Sequence, residues 1–296
     1  MAESTSADIN PDESSPRRWW WAAFLSVLAP GLGHVYAGPL AAGIGWMVTY
    51  QLLGLYLVCH SVYWPIPRWN MHFMTIVMIG IYLATIVDSI RLCRKSAESF
   101  VPRSFNRWYV YLGLAVLTRV MTFAVALIIR AFWVESFHMP SESMADTILA
   151  GDRIFCVKLG YGPDDVRRQH VVVFRDASVS ESGAPLVKRV VGLPGDVVEW
   201  QGGVFTVNGT LLDEPYVTDD PSFYKEMRGR WIGEGRVELL SDQMFVVGDH
   251  RHRSCDSRSY GPVKLSSLIG RVRNIYWSFD EESGRYRWDR VGRRIE

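Results

Sequence analysis

Apolar residues are spread unevenly along this chain, and that unevenness constrains its fold more than any other feature. They crowd residues 19–134, whereas residues 150–296 carry charge at the density of a water-exposed domain. A bilayer core is about 30 Å thick and takes about 20 apolar residues per helical crossing. Residues 41–59, 71–89 and 109–131 each meet that length, to within a residue or two. The overall hydrophobic fraction of 48% is ordinary and conceals the split. The expected architecture is an α-helical transmembrane region, residues 19–134, followed by a mainly-β exported domain, residues 135–296.

Residues 1–18 form a Ser-, Asp-, Glu- and Pro-rich tail with too little apolar surface to fold, and their acidic start is the wrong beginning for a cleavable signal peptide. Arg17 and Arg18 abut Trp19, Trp20 and Trp21, a combination suited to a membrane interface. Trp64, Trp69 and Trp108 read as further interface anchors. Residues 20–38 are apolar but interrupted by Pro30, Gly31 and Gly33, which predicts an interfacial or re-entrant segment. Within it, PGLGHVYAG resembles a motif at the start of small two-helix membrane modules. The loop over residues 91–107 carries Arg91, Arg94, Lys95, Arg103 and Arg107 against Glu98, so it belongs on the cytoplasmic side and Glu135 onward on the other. Three crossings follow if the N-terminus is inside, four if residues 20–38 also cross. Arg119 falls near the middle of the last span, where an arginine costs about 2.5–3.5 kcal/mol. Asp88, at the end of the preceding span, is its candidate partner.

Beyond Gly151 the pattern changes to short alternating strands. They are expected over residues 153–158, 171–174, 186–191, 197–200, 204–207, 243–247 and 271–277, with Asn208-Gly209 as a hairpin turn. The Arg-rich end, through Arg293 and Arg294, reads as a solvated tail. A net charge of +1 without a basic tract argues against a nucleic-acid partner. Of the four cysteines, Cys59 and Cys93 sit in or beside apolar runs. Cys156 and Cys255 can pair only if the fold juxtaposes them. None has metal-ligand spacing, and neither a metal nor a cofactor is expected.

The segment over residues 137–152 (FHMPSESMADTILAGD) places Ser141 and Ser143 between Pro140 and Met144, just past the last span. A nucleophilic serine needs a group to take its proton. His138, His170, His250 and His252 are available in the exported part, but none lies in an apolar strand that would bury and orient it. A lysine serves only if burial brings its pKa down from roughly 10.4 towards neutrality. Lys188, in PLVKRVVGLPGD, and Lys158, in IFCVKLGYG, both sit in such surroundings, and residue chemistry alone leaves the two open.

Four stretches resemble bacterial signal peptidase I, the membrane-bound Ser/Lys endopeptidase of the type I signal peptidase family. They are IIRAFWVESFHMPSESM, ILAGDRIFCVKLGYG, KRVVGLPGDVV and GDHRHRSCDSRSYGPV, in the family's order. The resemblance implies Ser143 as nucleophile and Lys188 as general base. It implies Ser141 and the Ser143 N–H as the oxyanion hole, Ser254 as the residue that orients the lysine amine, and Asp256 and Arg258 as its braces. Pro140 and Met144 would face the substrate groove. It also implies a smaller β insertion at about residues 199–242. The substrates would be signal-peptide-bearing preproteins, cleaved on the extracytoplasmic side of a bacterial inner membrane. The chain departs from the family pattern at Glu142, Ala145-Asp146, His250, His252 and Arg253. Two other readings are a dedicated processing peptidase for a conjugation or pilus precursor, and an inactive membrane-anchored binding protein.

Overall fold

The computed structural model describes residues 17–63, 68–96, 105–145, 147–179, 183–201, 203–217 and 233–295. Most of the N-terminal tail, Trp64, Glu98, Arg103 and Asp146 lie outside the described residues, as does the side chain of Trp69. The chain divides into a helical unit, residues 1–61 and 69–127, and a second unit, residues 62–68 and 128–296.

The helical unit contains α1 (Trp19–Leu28), α2 (Leu32–Ala37), α3 (Leu40–Tyr63), α4 (Arg68–Ser96) and α5 (Trp108–Ile128). Among the described residues, three helices are long and apolar enough to cross a membrane: Leu40–His60, Phe73–Ser96 and Trp108–Trp133. The ten residues of α1 reach about 15 Å, half a bilayer core. The chain breaks after α1 at Ala29-Pro30-Gly31, where Gly31 takes φ +93° and lies so close to the Gly43 carbonyl that no side chain would fit.

A helix that stops in apolar surroundings leaves carbonyl oxygens that no water can satisfy. Here Tyr82 Oη donates to Val27 O at 2.7 Å and Arg119 Nη2 to Leu28 O at 2.5 Å. Arg119 therefore binds the negative end of α1 and not Asp88. The Asp88 carboxylate instead lies 2.9 Å from Nε2 of the buried His34.

The second unit is mainly β. It contains β1 (Val134–His138), β2 (Asp152–Val157), β3 (Val171–Phe174), β4 (Leu186–Gly192), β5 (Val197–Gln201), β6 (Val204–Val207), β7 (Thr210–Leu211), β8 (Glu234–Glu238), β9 (Gln243–Val247), β10 (Val263–Lys264), β11 (Leu268–Asp280) and β12 (Arg285–Tyr286). A short helix, α6 (Ser257–Tyr260), follows β9. The main antiparallel sheet runs β1-β2-β11-β3-β4-β9-β10, with β12 on β11. The smaller sheet runs β7-β6-β5-β8 and begins at Val197, slightly before the insertion predicted from the sequence.

Every residue of β3, and all of β4 after Leu186, is buried. Apolar layers cover both faces: Val171, Val173 and Val187 join one cluster with Met144 and Ile148, while Val172, Phe174 and Val190 join another with Met244 and Val246. This is why these strands read as continuous aliphatic runs. Phe205, Phe245 and Val191 meet in a third cluster between the two sheets.

The C-terminal segment is no solvated tail. Ile295 is buried in the main core, Ile275 N donates to Arg293 O at 2.9 Å, and Ile295 N donates to Arg273 O at 2.8 Å. The Arg293 and Arg294 side chains are exposed while their backbone extends the sheet. Cys156 is buried and Cys255 exposed, and the two remain separate thiols.

Candidate active site

Between β1 and β2 the chain makes a closed loop that carries the serine pair. Met139 N donates to Asp152 O at 2.9 Å and Gly151 N returns to Met139 O at 2.8 Å. Gly151, at φ +85°, lies against the Phe279 carbonyl, so only glycine fits there. Asp152 is fully buried, accepting from Leu149 N at 2.9 Å, from Ser278 Oγ at 2.5 Å and from Arg290 Nη2 at 2.7 Å. Met144 and Ile148 sink into the core beneath the loop. Ser143, between these anchors, is buried to 8% exposure, and its Oγ lies 3.3 Å from Ser141 Oγ.

Lys188 comes from β4, an interior strand flanked by β3 and β9. Its Nζ lies 2.8 Å from Ser143 Oγ, and the side chain is nearly inaccessible. Burial pushes the amine pKa down to about 8, outweighing the charge of Asp256, which pulls the other way.

The turn from β9 to α6 closes the site. Gly248 packs against Ser254 Oγ and the Ser143 carbonyl, leaving no room for a methyl group. Asp256 caps α6 and accepts Gly248 N–H at 3.0 Å and the Arg258 guanidinium at 2.8 Å through both Nε and Nη2. Burial raises the Asp256 pKa, but Arg258, with help from the Gly248 N–H, holds the carboxyl below its usual value. Arg258 Nη2 also donates to Arg251 O at 2.7 Å, tying the turn together. Ser254 Oγ is buried against Gly248 and beside Asp256, whose carboxyl it helps to hold below its usual value, and the Lys188 amine is directed at Ser143.

Lys158 and His170, also suggested by the sequence as bases, have other partners. Lys158 pairs with Glu135 at 2.6 Å. His170 Nδ1 meets Tyr161 Oη at 2.9 Å, and burial, reinforced by Arg271, Arg273 and Arg167, lowers the pKa of its ring to about 4. Pro140 is exposed and lines a cleft of about 550 Å³ with His138, Glu142 and His250. Met144 lies wholly in the core.

Four of the positions that depart from the family pattern, Glu142, His250, His252 and Arg253, touch one another. Arg253 forms an ion pair with Glu142. His250 N donates to Ser143 O at 3.2 Å, its Nδ1 lies 3.1 Å from Glu142 O, and its Nε2 meets His252 Nε2 at 2.8 Å. The turn that carries the histidines thus grips the backbone on both sides of the Glu142–Ser143 peptide.

Sequence reasoning missed Arg189, Asp249, Arg251 and Glu214. Arg189 leaves the opposite face of β4 from Lys188 and holds Asp249 through two bonds of 2.8 and 2.7 Å, both residues buried. Arg251 is fully buried and pairs with Glu214 at 2.5 Å. An arginine directly after Lys188 in an aliphatic strand was the available signal for the first pair; nothing local marks the second.

A buried hydroxyl on the β1–β2 loop beside a buried amine on β4, in a mainly antiparallel β unit downstream of apolar helices, has the parts of a serine hydrolase. The profile of the family described as "Signal peptidase, peptidase S26" matches residues 112–277, and the chain belongs to that family. Members are serine peptidases that remove signal peptides. Among its relatives, "Probable signal peptidase I-2" of Synechocystis sp. (strain ATCC 27184 / PCC 6803 / Kazusa) is 34% identical over 175 residues, covering 58% of this chain and 74% of that one. Signal peptidase I of Bacillus caldolyticus is 34% identical over 164 residues, covering 53% and 87%. A crystal structure of a signal peptidase I from Enterococcus faecalis V583 aligns at 27% identity with a TM-score of 0.30, over 36% of this chain and 95% of that one.

Proposed function

We propose that this chain is a multi-pass membrane peptidase in which Ser143 attacks the scissile carbonyl of signal-peptide-bearing preproteins and Lys188 is the general base. The observation that carries this reading is the 2.8 Å approach of Lys188 Nζ to Ser143 Oγ inside a buried site. With a pKa of about 8, roughly one amine in ten is neutral at pH 7, and a bound substrate that excludes water raises that share. The neutral amine takes the Ser143 proton as Oγ bonds to the carbonyl carbon. The resulting oxyanion receives hydrogen bonds from the Ser143 N–H and Ser141 Oγ. The lysine then returns the proton to the leaving amine, and water resolves the acyl-enzyme by the same route. Asp256 and Arg258 hold the β9–α6 turn against the nucleophile loop, and Ser254, packed against Gly248 in that turn, orients the amine.

In this reading the three long apolar helices anchor the chain in a bacterial inner membrane, with the β unit on the extracytoplasmic side and Pro140 lining the substrate groove, while Met144 supports the loop from the core beneath it. Ser143→Ala and Lys188→Ala are each expected to abolish preprotein processing while circular dichroism stays unchanged. Wild-type processing by either variant would refute the dyad.

A further inference from the structure

The helical unit holds a groove that proteolysis does not use. It encloses about 360 Å³, within the range of a small-ligand site. It is lined by the aliphatic side chains of Leu25, Leu28 and Leu112 and by the aromatic rings of Trp21, Tyr36, Trp108 and Tyr111. Two of its tyrosines adjoin basic segments. The Arg17 guanidinium stacks 4.3 Å from the Tyr36 ring centre, and Arg18 N donates to Tyr36 Oη at 3.2 Å. Tyr111 Oη accepts from Asn106 at 3.0 Å, beside the exposed Arg107, which itself donates to Tyr109 Oη at 3.0 Å. Basic residues therefore flank a groove of aliphatic and aromatic side chains.

Charge over the whole region has the same sign. From Arg17 to Val134 the only acids are Asp88 and Glu98, against ten arginines and lysines. Of the two, Asp88 is engaged by His34. Two amphiphiles could meet such a groove in a membrane. A signal peptide presents a basic n-region to this end of the bilayer and would be repelled. A phospholipid with a net negative headgroup is attracted by each basic residue near it.

We propose, resting on the membrane reading above, that this groove binds one anionic phospholipid. An acyl chain lies on Leu25, Leu28 and Leu112, and the phosphate is held by Arg17, Arg18 and Arg107. Guanidinium groups suit this role because they bind phosphate oxygens in pairs.

The test uses the full chain in neutral detergent, titrated with phosphatidylglycerol or with phosphatidylcholine of the same acyl chains, and native mass spectrometry to count bound lipid. One phosphatidylglycerol per chain is expected at concentrations at least tenfold below those needed for phosphatidylcholine. Arg18→Gln with Arg107→Gln is expected to abolish that preference, and Leu112→Trp to reduce binding of both lipids. Preprotein cleavage by the variants serves as the folding control, since none of these residues belongs to the unit that carries Ser143 and Lys188. Equal retention of the two lipids, or an undiminished preference in the double arginine variant, overturns the proposal. So does crosslinking of a signal peptide, rather than lipid, to a photoreactive group at position 112. A chain that stays monodisperse without detergent would instead overturn the membrane reading on which the proposal stands.

Discussion

Lys188 is the residue at which the fold gives up stability for reactivity. Its amine titrates at about 8, against an ordinary 10.5. Below pH 8 both the folded and the unfolded chain carry the charge, and the folded state bears the full cost of burying it. As pH rises from 8 to 10.5 the folded chain has released a proton that the unfolded chain still holds, so stability rises over that window by roughly 3 kcal/mol. Lys188→Met keeps the shape and removes the charge. It is expected to be inactive, to be about 1–3 kcal/mol more stable at pH 7, and to lack the alkaline rise in urea-unfolding stability. In the wild type, kcat/KM is expected to increase with pH and level off above about 8, because only the neutral amine accepts the Ser143 proton. A flat profile from pH 6 to 9 would contradict this assignment.

Elements bring together what sequence keeps apart, and the β9–α6 turn is the clearest instance. Gly248 lies under both Ser254 and the Ser143 backbone, so Gly248→Ala must displace the nucleophile loop, the turn or both. Overpacking of this kind costs roughly 1–3 kcal/mol. The expected outcome is that loss of stability in urea, together with at least a tenfold fall in kcat, as a shift of about 1 Å at the reacting atoms has such effects. Unchanged kcat would mean that the turn does not position Ser143.

Much of this element level was legible beforehand. Strands β3, β4, β6 and β9 carry unbroken or alternating apolar residues, and the expected ranges lie within a residue of the observed ones. Strands β1 and β8 were not legible, for different reasons. The β1 sequence VESFH reads as the polar exit of a span, and only its pairing with β2 makes it a strand. The β8 sequence EGRVE is an edge strand with half its residues exposed, so burial leaves little mark on it. Residue type left Lys188 and Lys158 open, and only the resemblance chose Lys188; its 2.8 Å approach to Ser143 depends on how the β1–β2 loop folds onto β4, 45 residues away. The partner of Arg119 was misread because a broken helix offers backbone carbonyls, which a search for acidic side chains overlooks.

At the scale of the molecule, the second unit is closed by its own last residues. Arg290 reaches back to Asp152 across 138 positions, and through Asp152 it holds the end of the loop that carries Ser143. Ile295 completes the same core as Met144 and Ile148. Asp152 also has Leu149 N and Ser278 Oγ, but these are neutral donors, and Arg287 stands off at 3.8 Å. Arg290→Ala therefore leaves a buried carboxylate with most of its countercharge gone, a change that typically costs about 3–5 kcal/mol. Asp152→Asn in the same chain removes the stranded charge and is expected to recover part of that loss, although each single substitution is destabilising. If the site depends on this closure, the Arg290→Ala variant should lose preprotein cleavage at a lower temperature than the wild type, and the double variant should regain some of the difference. Additive losses in urea unfolding would show that Arg290 and Asp152 act independently, and that the C-terminal segment does not hold the nucleophile loop in place.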